Sequence, residues 1–365
     1  YEADGNITIL GTAGGGGTGG SNYGVWVTDD GSRIEGQTNN SVSVTGFGGL
    51  GSAGYNTGVR LDAGGAIDTV PTSLGDILIQ GTGGGAGETA DVDNGVWLDG
   101  GTVAANGGNI VIIGTGGSSA GSWDDGITLS GGAISNTGVG SVTLAGVGKG
   151  VTSAQSAYGL ELEEGSVITA VDGLVSVTGV GGGAGSGTSG DNRGVSIVDV
   201  GSTIETTGLG TVNITGTATD TDATATNNSV GILVGSINGI QTTGGGAIII
   251  DGTGSDNGAE YNDGVYVSGS ITGSGGSMSI SGQGGNGAGE GNVGVVVDGP
   301  SAFISNTGSG TLTLNGTGGG GTSNYQHGIE AYDGGLIYSA DGDLTVNGHA
   351  GGSGAQIGGD ADRAV

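Results

Sequence analysis

Acidic side chains recur at two places in this sequence, and their type and spacing suit the capture of a hard cation. After stretches such as GVWV, GVRL and GVWL come Asp29, Asp30, Asp62, Asp99, Glu163, Glu164, Asp199, Asp298 and Asp333. Shortly before the same stretches stand Glu88, Asp91, Asp93, Asp124, Asp125, Asp220, Asp222, Asp256 and Asp263. Oxygen ligands of this kind fit calcium, which takes about six to eight of them. Asp29, Asp30, Asp62 and Asp99 are thus candidate calcium ligands, and a solvated acidic surface is the competing reading. The glycine-rich nonapeptide calcium motif is not matched; GGDADRAV at Gly358 departs from it.

Other chemistry is thinly represented. The pair Asp124 and Asp125 in WDDG could serve acid–base work, but no partner motif accompanies it. Lyases commonly add a basic residue beside their carboxylates, whereas Arg60 and Arg193 lie four repeats apart. His327 and His349 read as single, solvated loop histidines. Matches to GxGxxG open no helix and carry no weight in so glycine-rich a chain. The expectation is a protein without catalytic or cofactor-binding residues, with a polysaccharide lyase or hydrolase as a distant alternative.

A third constellation is aromatic. The central positions of successive GVWV-like stretches read Trp26, Arg60, Trp97, Thr128, Glu161, Ser196, Leu233, Tyr266, Val296 and Glu330. Stacked in register, Arg60 falls between Trp26 and Trp97, where a guanidinium can lie against indole faces. Trp26, Arg60, Trp97, Leu233, Tyr266 and Val296 form a candidate contact stripe. Apolar groups gathered on one face mark contacts, and Trp, Tyr and Arg are frequent anchors. A neighbouring copy of the rod is the first expected partner, and a glycan the second.

The elements that place these residues are written as a repeat. A glycine closes each of a series of apolar runs, at Gly11, Gly46, Gly81, Gly114, Gly146, Gly179, Gly216, Gly252, Gly282, Gly316 and Gly348, 30 to 37 residues apart. Two and four residues before each stands an apolar residue, as in Ile77/Ile79, Ile110/Ile112 and Val142/Leu144. That period of two is the mark of a strand with one buried face. A second strand opens with Gly and an apolar residue, as at Gly24, Gly58, Gly95 and Gly126. A third, shorter one centres on residues such as Ile34, Ile67, Val103 and Ile134.

Three short strands per repeat, with no helical pattern, describe one coil of a right-handed parallel β-helix. A single coil cannot bury its own apolar face, whereas stacked coils share a continuous core. About ten complete coils and a partial one, spaced about 4.8 Å apart, make a rod roughly 50 Å long. Residues 1–365 read as one β-solenoid, and an antiparallel sandwich is the alternative. YEADGN at Tyr1 is similar to YSADGD at Tyr338, and DRAV at the end is similar to NRGV at Asn192. Both ends are therefore expected to fall in mid-coil, as in a window on a longer array.

Composition narrows the partners. The formal net charge is −30, and only Arg33, Arg60, Lys149, Arg193 and Arg363 are basic. Such a surface repels nucleic acid and anionic lipid. No apolar run approaches the roughly 18 residues of a membrane span, so insertion is not expected. With 96 glycines and no Gly-X-Y period, collagen is excluded, and the regular recurrence of Val, Ile and Leu argues against disorder. There is no cysteine, so neither disulfides nor thiolate metal sites contribute.

The recurring GxIxIxG, the GVxL strand and the SxIxTTG turn, as in GSTIETTG at Gly201, resemble the haemagglutinin-type β-helix repeats of large secreted bacterial adhesins. The resemblance spans essentially the whole chain. It implies an extracellular or cell-surface fibre used in adhesion or matrix building, and it transfers no catalytic residue.

Overall fold

The structure is a computed structural model that describes residues 5–85, 91–119, 121–150, 156–182, 191–220, 228–257, 260–321 and 324–352. Glu88, Asp222, Arg363 and the terminal segments YEAD and DRAV lie outside the described residues. Within them the chain is all-β and solenoidal. Strands belong to three parallel sheets of 11, 10 and 10 strands, and each strand pairs with its counterpart one repeat away. First, second and third strands alternate through ten coils, from Ile7–Thr12 to Leu336–Ser339, and Leu344–His349 adds a further first strand.

Register follows the sequence repeat. Ile110, Ile112 and Gly114 lie opposite Ile77, Ile79 and Gly81 on one side, and opposite Val142, Leu144 and Gly146 on the other. The alternate positions Ile77/Ile79, Ile110/Ile112 and Val142/Leu144 are buried. Second strands supply Val96/Leu98 and Ile127/Leu129 to the same interior, and third strands supply Ile67, Val103 and Ile134. Each fully buried Val, Ile or Leu contributes about 1.5–3 kcal/mol, and β-branched side chains stack well on a pleated surface.

The glycine closing each first strand stands where two stretches of backbone nearly touch. Gly114 lies on the inward face, where the first and second strands of one coil converge. A Cβ placed on it would fall 1.9 Å from the carbonyl oxygen of Gly126, the residue that opens the second strand. The same approach recurs at Gly81 with Gly95 and at Gly46 with Gly58. Glycine is required there by closeness of backbones rather than by dihedral angle.

A left-handed backbone does recur, three residues before the opening glycine of the second strand, and mostly without glycine. Ser21, Tyr55, Val92, Trp123, Ser156, Tyr261 and Tyr325 have φ of 59°, 67°, 63°, 59°, 58°, 55° and 61°. Gly291 fills this position in the ninth coil with φ 74°. The kink turns the side chain at this position outward and lays the next two residues against the solenoid.

Candidate functional site

Those next two residues build the part of the molecule that carries chemistry. Two positions before most opening glycines runs a polar ladder, half-buried at Asn22 and buried at Asn56, Asp93 and Asp124, then, past Ala157, at Asn192, Ser229, Asn262 and Asn292. Asn22 Nδ2 donates to Asn56 Oδ1 at 2.8 Å, and Asn56 Nδ2 donates to Asp93 Oδ1 at 3.0 Å. The Asp93 N–H donates to Asp124 Oδ1 at 3.1 Å. Further along, Asn262 Nδ2 donates to Asn292 Oδ1 at 3.1 Å. Each side chain thus satisfies the loop of a neighbouring coil, which buried polar groups require.

One residue later, the side chain folds over the outer face of the second sheet. Asn94 Nδ2 donates to Thr128 Oγ1 at 3.1 Å, and that hydroxyl donates to Asp125 Oδ2 at 3.0 Å. Asp125 Oδ1 accepts the Tyr158 N–H at 2.7 Å. Asp263 repeats the arrangement by accepting the Val293 N–H at 2.8 Å. Burial pushes Asp263 up to about 8, with Glu330 adding like-charge repulsion. Burial likewise lifts Asp124 to about 8 and Asp93 to about 6. Asp125 and Glu161, which repel one another, are both raised, again mainly by burial.

This cover changes what the expected contact stripe can do. The register is as anticipated, with Trp26 opposite Arg60 and Arg60 opposite Trp97. Arg60 lies over the Trp97 ring at 4.1 Å, but its second ring is Tyr23 at 5.1 Å. Trp26 instead packs on Tyr23 and donates its Nε1–H to Asp62 Oδ2 at 3.0 Å. Trp26 is 54 % exposed, whereas Val296 is only 3 % exposed. Trp97, Leu233 and Tyr266 are half-buried, and Thr128 and Ser196 are buried. Val296 therefore does not stand on an exposed stripe: the preceding loop covers the strand's outer face, and the central positions become the floor of a groove.

Three clefts open along that groove, two of them of similar make-up and a third, of about 350 Å³, lined by Arg193 and Leu233 and continuous with the second through Tyr261 and Tyr266. The first, about 380 Å³ in volume, is bounded by Tyr55, Trp97, Trp123, Asp125, Glu161 and Glu163, with Val92, Asn94 and Thr128. Tyr55 and Trp123 are 44 % and 48 % exposed, and Tyr55 stacks at 6.0 Å on Trp97. The second, about 200 Å³, has Tyr261, Tyr266, Tyr325, Tyr332, Asp263 and Glu330 around it. Between them Arg193 lies over the Tyr158 ring at 5.2 Å and pairs with Asp191 at 2.8 Å.

The candidate calcium ligands are distributed rather than gathered. Asp29 and Asp30 are exposed at the corner after the second strand, Asp29 with φ 74°. Asp62 and Asp99 are bridged by Arg60, whose Nε sits 3.0 Å from Asp62 Oδ2 and whose terminal nitrogen sits 2.8 Å from Asp99 Oδ2. Among the described residues no three His, Cys, Asp or Glu side chains gather as a metal site would need. His327 lies in a loop but is buried at 8 % exposure and packs edge-on to Tyr325, whereas His349 is exposed but ends a strand.

The polar ladder and the clefts were not identified from the sequence. Their signal was present in NYG, NTG, DDG, NRG, NDG and NVG, where Asn or Asp stands two before the glycine. Those residues read as loop because nothing in one dimension shows that their loops stack. No family model, curated protein or solved structure matches the chain.

Proposed function

We propose that this chain is a segment of an extracellular structural fibre or adhesin that works by rigid extension and by contacts between solenoids, without catalysis. One observation carries the reading: a single core of Val, Ile and Leu ladders runs unbroken through ten coils of three parallel sheets, which makes a stiff rod. The haemagglutinin-like repeats described above support the same reading, as does an acidic surface that keeps rods apart sideways.

The test is the assembly state of the 365-residue chain. Electron microscopy and light scattering across a concentration series should find stiff rods that associate. Flexible or globular particles, or single rods at every concentration, would overturn the reading.

A further inference from the structure

We propose that the cleft over the second to fifth coils binds an uncharged oligosaccharide, with Tyr55 and Trp123 as stacking walls and Asp125, Glu161 and Glu163 as hydrogen-bonding partners of its hydroxyls. This goes beyond the fibre reading and does not depend on it.

Shape comes first. The floor, Trp97 and Glu161, is recessed, and the rings that rise beside it are about half exposed. A broad protein surface cannot reach such a floor, but a slender polymer can lie in it. An added peptide strand is excluded for another reason. The backbone of the second sheet is already paired from coil to coil, as Trp97 with Arg60 and Thr128 with Trp97, so no strand edge faces the groove.

Chemistry then selects the polymer. A sugar ring presents C–H faces and a rim of hydroxyls, and the cleft offers aromatic faces beside carboxyl oxygens. Pockets that orient a ligand combine such apolar walls with a few placed polar groups. Aromatic side chains supply large contact area with a defined direction of approach. A carboxyl group that keeps its proton both donates and accepts, which suits hydroxyl partners. Uronic or sulfated chains are disfavoured by a net charge of −30, because the cation beside the floor, Arg60 over Trp97, is already paired with Asp62 and Asp99.

The columns that line this cleft supply a second one further along the coils. In the second cleft Tyr261 and Tyr325 take the wall positions of Tyr55 and Trp123, each again with a left-handed backbone. Asp263 and Asp125 share the column immediately before the opening glycine, and Glu330 and Glu161 share the floor column, with Asp263 in the coil of the first wall ring and Asp125 in that of the second.

The experiment is titration of the intact chain with cellohexaose, chitohexaose and laminarihexaose, followed by calorimetry and tryptophan fluorescence, with polygalacturonate as the anionic comparison. At least one neutral hexasaccharide should bind. Trp123→Gly should weaken it by about tenfold or more, the loss expected of an anchoring ring. Glycine already occupies the matching position at Gly291, so the melting temperature should hold. Tyr55→Gly, at φ 67°, provides a second variant should the first unfold. Trp26→Ser, outside the cleft, should bind as the unaltered chain does. The proposal is overturned if no neutral probe binds at millimolar concentration, if folded Trp123→Gly and Tyr55→Gly both bind undiminished, or if polygalacturonate binds as well as the neutral probes.

Discussion

Gly114 and Gly126 meet backbone against backbone, so closely that a Cβ on the first would overlap the carbonyl oxygen of the second at 1.9 Å. The overlap is with main chain, which cannot turn aside as a long side chain can. Gly114→Ala should therefore lower stability by about 3 kcal/mol or prevent folding, at the upper end of overpacking effects. Gly16→Ala, where no atom lies within 4 Å, is the comparison and should be nearly neutral. Equal urea midpoints for the two variants would sink this account of the glycine column.

Val92 is the one β-branched aliphatic residue in the left-handed column, at φ 63°. A residue with two heavy atoms on Cβ is poorly suited to that region, while Asn enters it readily. Val92→Asn should stabilise the fold by about 0.5–1 kcal/mol, less than the full strain because Val92 is half-buried. Thermal denaturation decides it; a lowered midpoint would mean that Val92's packing outweighs its backbone strain.

Stability should fall as pH rises toward neutrality and beyond. Asp263 is raised from 3.8 to about 8 and Asp124 to about 8, in both cases first by burial. The unfolded chain releases these protons near 3.8, while the fold retains them. Between those values the native state binds more protons, so stability declines with pH. Their contribution is whole below the unfolded value and lost as pH passes through about 8. The melting temperature should be higher at about pH 5 than at about pH 8, and Asp263→Asn should flatten the slope. A profile rising over that interval would contradict the burial of these carboxyls.

Arg60 occupies the space between Asp62 and Asp99 that a cation would need. Calcium and sodium at equal ionic strength should therefore shift the melting temperature of the unaltered chain alike. Arg60→Ala leaves two carboxylates on adjacent strands, about 5 Å apart, without their cation. That variant should be less stable, and calcium should restore it more than sodium does. A calcium-specific rise in the unaltered chain would point to acidic residues elsewhere.

The coil was legible in one dimension because its signals are local and periodic. Ile110 and Ile112 repeat the spacing of Ile77 and Ile79, and a period of two has one structural meaning when it recurs in phase. The lack of helix and the pairing of Trp26 with Arg60 and Arg60 with Trp97 followed from the same repeat. What Asn56, Asp93, Asp125 and Asp263 do was decided only by stacking. Their partners stand a whole repeat away, as Asn56 with Asp93, 37 residues apart. Their burial depends on a loop that the left-handed residues turn over the second sheet. Burial in turn raises the carboxyl groups, recesses Trp97 and closes Val296 away from solvent. Sequence determines which residues recur on the outer face; whether that face is a flat stripe or a groove depends on the path of the neighbouring loop, which only the assembled coils establish.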